Sequence, residues 1–228
     1  MKITSIKPSA IICFLLLITG SLTVHSQSMT DMNGNVYKTS KLGVQEWSAS
    51  NLNVTKFRNG DVIPEAKTKE EWIKAGADEK PAWCYFKYDP ANGFKYGKLY
   101  NWYAVNDKRG LAPNGWRIPV TADWMKFVKN LLGVDYAGPK LKSIQGWKSK
   151  NGVDKIGYKA LPAGIRDEKG DFYFMGTVSQ WWTNSEPVEV SKSNLIFSVK
   201  LNDTTTEVSY VKMKKETGLS VRCVRSLK

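Results

Sequence analysis

The chain has 228 residues, 34 Lys and Arg against 21 Asp and Glu for a formal charge of +13, and a single histidine, His25. That length is enough for one domain with a substantial core. Because His25 falls within an N-terminal leader, the rest of the chain excludes Ser-His-Asp and Cys-His nucleophile activation, histidine-ligated zinc and histidine acid-base catalysis, which leaves carboxylate, lysine or tyrosine chemistry.

The leader comes first. Lys2 and Lys7 precede an apolar run at residues 11–18 that Gly20 and Ser21 break, and Val24 and Ser26 sit where a signal peptidase reads its cut. These features predict a secretory signal peptide over residues 1–26, with Gln27 as the mature N-terminus; the alternative is an uncleaved anchor helix. Cys13 lies inside the apolar run rather than after the cut, so no lipid anchor is expected. Residues 27–228 then form one extracytoplasmic domain with no later membrane-spanning stretch. The positive charge is spread along the chain, clustering only modestly at Lys212, Lys214 and Lys215. Such a surface suits acidic polysaccharide or an anionic envelope, or is simply a set of solvated lysines, and export argues against nucleic acid as partner.

Residues 31–35 read as a tight turn before strands at 36–39 and 44–47 around Gly43. Thr68 and Glu71 form a capping box that opens a short helix bearing Trp72, Ile73 and Ala75, with Gly76 at its end. Residues 82–103 are dense in strand-forming aromatics, interrupted by the loop signal Asp89-Pro90-Ala91-Asn92-Gly93. A turn at residues 113–115 and an extended piece at 116–120 lead to a second helix capped by Thr121. There Trp124, Phe127, Val128 and Leu131 share one face, and Gly133 closes the helix. Strands at 195–201, 207–213 and 219–225 are joined by short turns and predict an antiparallel meander. Two helices among many short antiparallel strands make an α+β domain. Cys84 and Cys223 are the only cysteines beyond the leader: one intramolecular bridge, stabilising by about 4–5 kcal/mol in the chain-entropy model, or two separate buried thiols.

Seven motifs follow one another: DMNGNVY (31–37), QEWSASNL (45–52), YGKLYNWYAV (96–105), PNGWRIPVTADW (113–124), LPAGIR (161–166), WWTNS (181–185) and SVRCV (220–224). Together they closely resemble the Fibrobacter succinogenes major paralogous domain, a family of exported bacterial proteins common in Bacteroidetes and similar to the C-type-lectin-like fold. The resemblance implies a compact mixed fold with two helices, long loops and termini in neighbouring strands, and it implies surface attachment or polysaccharide contact rather than catalysis. Relatives often carry Cys where this chain has Ala112, and sometimes another where it has Gly93, so Cys223 lacks that partner.

Two aromatic groups are candidate sugar platforms. Trp181 and Trp182 with Asn184 offer stacking faces beside an amide, and Tyr100 and Trp102 offer a second set; the structural alternative buries both, with Trp181 and Trp182 on opposite faces of a sheet. Gly97 reads as close packing or a bend rather than a phosphate site. No lectin-type calcium site is expected, since Glu186-Pro187 is followed by Val188, and no metal or cofactor is implied. Asp167, Glu168 and Asp171 are candidate paired carboxylates or a solvated turn. Arg166 and Arg222 read as structural anchors. The functions that follow are an exported, non-enzymatic recognition or adhesion module, a structural or protein-interaction subunit of a surface assembly, or, last, a carboxylate-dependent glycan hydrolase.

Overall fold

The computed structural model describes residues 28–185 and 194–227. The leader and Glu186-Pro187-Val188 lie outside these residues. Strands β1 (Ser28–Thr30), β2 (Val36–Leu42), β3 (Gln45–Ser48) and β11 (Val224–Ser226) form one antiparallel sheet in the order β1-β2-β3-β11. Asp31 makes the first turn: its Oδ1 accepts from the N–H groups of Asn33 and Asn35. The second turn is the pair Gly43-Val44, set by the Leu42–Gln45 pairing, with Gly43 at φ +59. All of β3 is buried, and Glu46, fully inaccessible, is met by Arg225 from β11 at 2.7 Å. Strands near both ends of the described chain thus share one sheet.

A second antiparallel sheet has the order β10-β9-β8, built from β8 (Val178–Trp182), β9 (Leu195–Asn202) and β10 (Val208–Lys214). Two short ladders complete the strands: β4 (Trp83–Cys84) with β5 (Leu99–Tyr100), and β6 (Ala163–Arg166) with β7 (Phe172–Met175). The expected meander is corrected here. Its first two strands pair as β9 and β10, but the third place belongs to β8, and residues 219–225 go elsewhere. Leu219 exchanges both backbone hydrogen bonds with Tyr100, Ser220 bonds to Gln180 and Trp182, Val221 accepts from Leu52, and Val224 pairs with Arg117. A segment buried on all sides finds partners in several elements rather than a hairpin neighbour.

Among the described residues five α-helices replace the two expected. In α1 (Lys69–Ala77) Thr68 caps as predicted, accepting from the Glu71 N–H at 3.1 Å, but the helix runs on past Gly76. The supposed loop signal at 89–93 opens α2 (Pro90–Tyr96), with Asp89 as N-cap and Pro90 at the first helical position, where its missing N–H costs nothing. One turn, α3 (Trp102–Val105), is capped by Asn101. Helix α4 (Thr121–Lys129) starts at Thr121 rather than being capped by it; Asp123 reaches back to the Val120 N–H. Helix α5 (Val134–Leu141) was not anticipated, because Gly138 and Pro139 lie inside it. Gly138 has a reason: a Cβ there would lie 2.4 Å from the Thr206 carbonyl. Among the described residues no helix is long and apolar enough to cross a membrane.

The two larger clusters of the core lie on either side of β8. Trp181 packs with Trp124, Tyr158, Trp47 and Phe127, and Trp182 with Tyr100, Leu219, Val221 and Cys223 on the other side. Cys84 belongs to a third, smaller cluster with Trp72, Phe86 and Leu99. The Cys84–Cys223 bridge is therefore not made: both thiols are free, buried, and housed in different clusters. Burial pushes the Cys84 thiol up to about 11, against the pull of Arg166, and pushes Cys223 up as well. Since the thiolate is the reactive form, neither is expected to react with a thiol-exchange reagent at pH 8 until the protein unfolds, and reductant should leave the melting temperature unchanged. A fast-reacting native thiol, or a reductant-sensitive melt, would contradict this placement.

Candidate functional site

The two aromatic platforms expected from sequence are core. Trp181, Trp182 and Tyr100 are fully buried and Trp102 nearly so, leaving no ring face for a ligand. Their polar atoms are also mostly spent: Trp181 Nε1 donates to Asn51 Oδ1, Trp182 Nε1 to the Tyr100 carbonyl, and Tyr100 Oη to the Val54 carbonyl, each within 2.8 Å. Asn184 is only half-buried, but its Oδ1 is enclosed without a partner among the described residues. The carboxylates of the turn after Arg166 are engaged as well. Asp171 pairs with Lys69 at 2.6 Å, Glu168 with Lys214 at 2.9 Å, and Asp167 accepts from the Asp171 N–H. No three His, Cys, Asp or Glu side chains among the described residues are grouped to hold a metal ion.

Both arginines are anchors. Arg166 donates to the carbonyls of Gly170 and Thr68 and to Tyr88 Oη, with Trp72, Tyr88 and Phe172 rings around its guanidinium. Arg222 donates to Asn51 Oδ1 and to the carbonyls of Ser48, Tyr158 and Lys159, stacked 4.3 Å from the Tyr158 ring.

The structure opens instead around α2. Gly93 lies flat on Tyr85, where a Cβ would come within 2.2 Å of the ring, so the helix seats its Gly93 and Tyr96 side and projects Phe94 outward, 90% exposed. Two clefts flank that ring. The larger, about 310 Å³, runs between Asn51, Asn53, Tyr37, Lys159 and the edge of Arg222. The smaller, about 200 Å³, is lined by Asn33, Thr55, Tyr85 and Lys98. They share Asn35, Asn53, Gly93 and Phe94, so they adjoin at the foot of one exposed aromatic residue. The walls are stiff. Asn51 is saturated by Trp181, Arg222, the Tyr96 carbonyl and Ser220 Oγ, and Asn33 and Thr55 bond reciprocally. Asn53 accepts from Lys98 Nζ at 2.6 Å, while its Nδ2 has no acceptor among the described residues. An exposed aromatic face next to fixed amides is what stacking and hydroxyl recognition require.

The model of one family, the Fibrobacter succinogenes major domain, matches residues 41–225. The chain belongs to that family. No curated protein and no solved structure matches it. Most of the cleft residues, from Ala49 to Arg222, lie inside the Fibrobacter succinogenes major domain, whereas Asn33, Asn35, Val36 and Tyr37 precede the match and close the clefts from the N-terminal side. Reasoning from sequence missed Phe94, Asn53 and Lys98. One signal was present: Lys98 is the lone charge in the aromatic run 96–105.

Proposed function

We propose that this chain is an exported, non-enzymatic recognition module that binds glycan at the paired clefts around Phe94. The observation that carries the reading is the 90% exposed Phe94 ring beside two clefts that share Asn35 and Asn53 in their linings. A pyranose laid on that ring would place its hydroxyls against the amides. The leader and the resemblance to C-type-lectin-like architecture support the same reading, but only as fold-level analogy. A second reading, a structural subunit of a surface assembly, is favoured by one observation: β1 and β10 end their sheets with an edge that pairs with no other strand among the described residues.

A glycan array probed with the wild type and with Phe94→Ala separates them. Because Phe94 is exposed, its removal should leave the melting temperature within about 2 °C, which for a domain of this size is about 0.5–1 kcal/mol. Losing a stacked aromatic should weaken binding about tenfold, or 1.4 kcal/mol. An array with no hits, or hits indifferent to Phe94→Ala, would favour the structural subunit.

A further inference from the structure

The charged groups lining both clefts are all cationic: Lys95, Lys159 and Arg222 in the larger, Lys98 in the smaller, with no Asp or Glu in either lining. Two of these cations are built into the protein rather than waving over it. Lys98 is only 3% exposed, its stem following Gly97 out of α2, with Nζ held 4.6 Å from the Trp83 ring and 4.8 Å from the Tyr85 ring. Its ammonium donates to Asn53 O at 2.8 Å and Asn53 Oδ1 at 2.6 Å, both neutral acceptors, and its third hydrogen has no acceptor among the described residues. Arg222, equally buried, has four hydrogen bonds to neutral oxygens and one N–H left over.

A buried ammonium ordinarily has a carboxylate partner, because desolvation of an unpaired charge is costly. Here the carboxylates in Coulombic reach of Lys98 are Glu65 and Asp31, and neither forms an ion pair with it. Asp31 is committed to Asn33, Asn35 and Tyr37. Desolvation pulls the Lys98 ammonium down to about 8, with Glu65 and Asp31 opposing it only in part. The cation lacks its counter-ion, and it sits on a cleft wall.

We propose that the ligand of these clefts is an acidic glycan whose anionic group, carboxylate or sulfate, is received by Lys98. The inference rests on the recognition reading above. Lys98 supplies a charge-assisted hydrogen bond in a site already shielded from water, Asn53 Nδ2 supplies a second donor beside it, and Lys95, Lys159 and the spare Arg222 N–H extend positive potential along the larger cleft.

Titration calorimetry with trigalacturonate and its fully methyl-esterified form, which keeps the rings and removes the charge, tests this. The acid should bind at least tenfold tighter than the ester. Lys98→Met, which keeps the stem between Trp83 and Tyr85, should bring the two within about twofold. A Lys212→Gln, Lys214→Gln double variant on β10 should keep the full preference. A preference that survives Lys98→Met, or that falls equally in the β10 variant, overturns the proposal in favour of net charge. Parallel titrations with a chondroitin sulfate tetrasaccharide and its desulfated form, which keeps the uronate carboxylates, assign the group: Lys98-dependent binding lost on desulfation names sulfate, and dependence in the trigalacturonate arm names carboxylate. Tighter, Lys98-dependent binding of oligothymidylate would overturn the glycan in favour of nucleic acid. Equal affinity for acid and ester sinks this inference alone, whereas no binding to any glycan sinks the recognition reading with it. A measurement on the wild type is independent of how the variant folds. At pH 8, in buffers of different ionisation enthalpy, the acid should bind with uptake of a fraction of a proton and the ester with none, because an anion raises the Lys98 pKa. Tyr85, the titratable ring packed on Lys98, is pushed up by burial, away from this range. Zero uptake contradicts the assignment.

Discussion

Arg222→Met is expected to lower the unfolding free energy by on the order of 4 kcal/mol or more. The substitution keeps bulk and apolar contact with Tyr158 and Trp181 but removes every donor from a pocket that retains its acceptors. The carbonyls of Ser48, Tyr158 and Lys159 would be left without that partner inside the core, while Asn51 Oδ1 keeps only Trp181. Each orphaned buried acceptor costs about 1–3 kcal/mol. Replacing a buried charge together with its partners is often neutral; removing the charge alone is not. Arg222→Lys should recover only a minor part, because an ammonium cannot reproduce the planar fork. Urea unfolding reads both, with the midpoint falling and the slope unchanged if the transition stays two-state. A Met variant within 1 kcal/mol of wild type would remove Arg222 from its place as the tie between Ser48, Asn51 and the loop before β6.

Gly97→Ala should cost about 3–5 kcal/mol and lower the melting temperature by about 10 °C. Gly97 ends α2 at φ +76 and ψ −167, a region open essentially to glycine. A Cβ there would also come within 2.8 Å of both Asn51 Cβ and the Leu52 carbonyl, and those atoms belong to a buried, saturated wall that has no room to withdraw. Strain and overpacking therefore add. The same shift would move Lys98, the next residue, off Asn53, so ligand affinity should fall with stability, unlike Phe94→Ala, which should affect affinity alone. An alanine variant that melts with the wild type would mean the backbone at Gly97 is free to relax, and the stiff cleft wall argued above would fall.

The parts of this fold legible in the sequence are those with a clean period. Gly43 between two short extended runs marks the β2–β3 hairpin, and Trp124, Phe127 and Val128 mark the buried face of α4. The adjacent tryptophans of β8 also follow the strand rule, one to each core cluster. Where the pattern misled, a local signal carried two meanings. Asp-Pro marks a turn or a helix start, and at Asp89-Pro90 it is the start of α2. The run 219–225 has strand composition, yet its partners are Tyr100, Gln180, Leu52 and Arg117, a set that no local pattern specifies. Gly138 and Pro139 hide α5 because each lowers helix propensity, Gly138 for the sake of packing against the Thr206 backbone. The candidate site was harder still. Aromatic density pointed to Trp181, Trp182, Tyr100 and Trp102, but dense aromatics fill cores, and the most exposed ring among the described residues is Phe94, in a polar helix. Burial decides between these, and burial is a property of the assembled fold.

The clefts around Phe94, rather than the tryptophan clusters, are the proposed binding surface, and amide chemical shifts report on both at once. On titrating trigalacturonate into isotopically labelled protein, the side-chain amides of Asn35 and Asn53 and the backbone amides of Gly93, Phe94 and Lys95 should shift with a common saturation curve, while the indole N–H signals of Trp181 and Trp182 stay fixed. Shifts centred on those indoles and on Asn184, with the Phe94 region silent, would contradict the placement of the site.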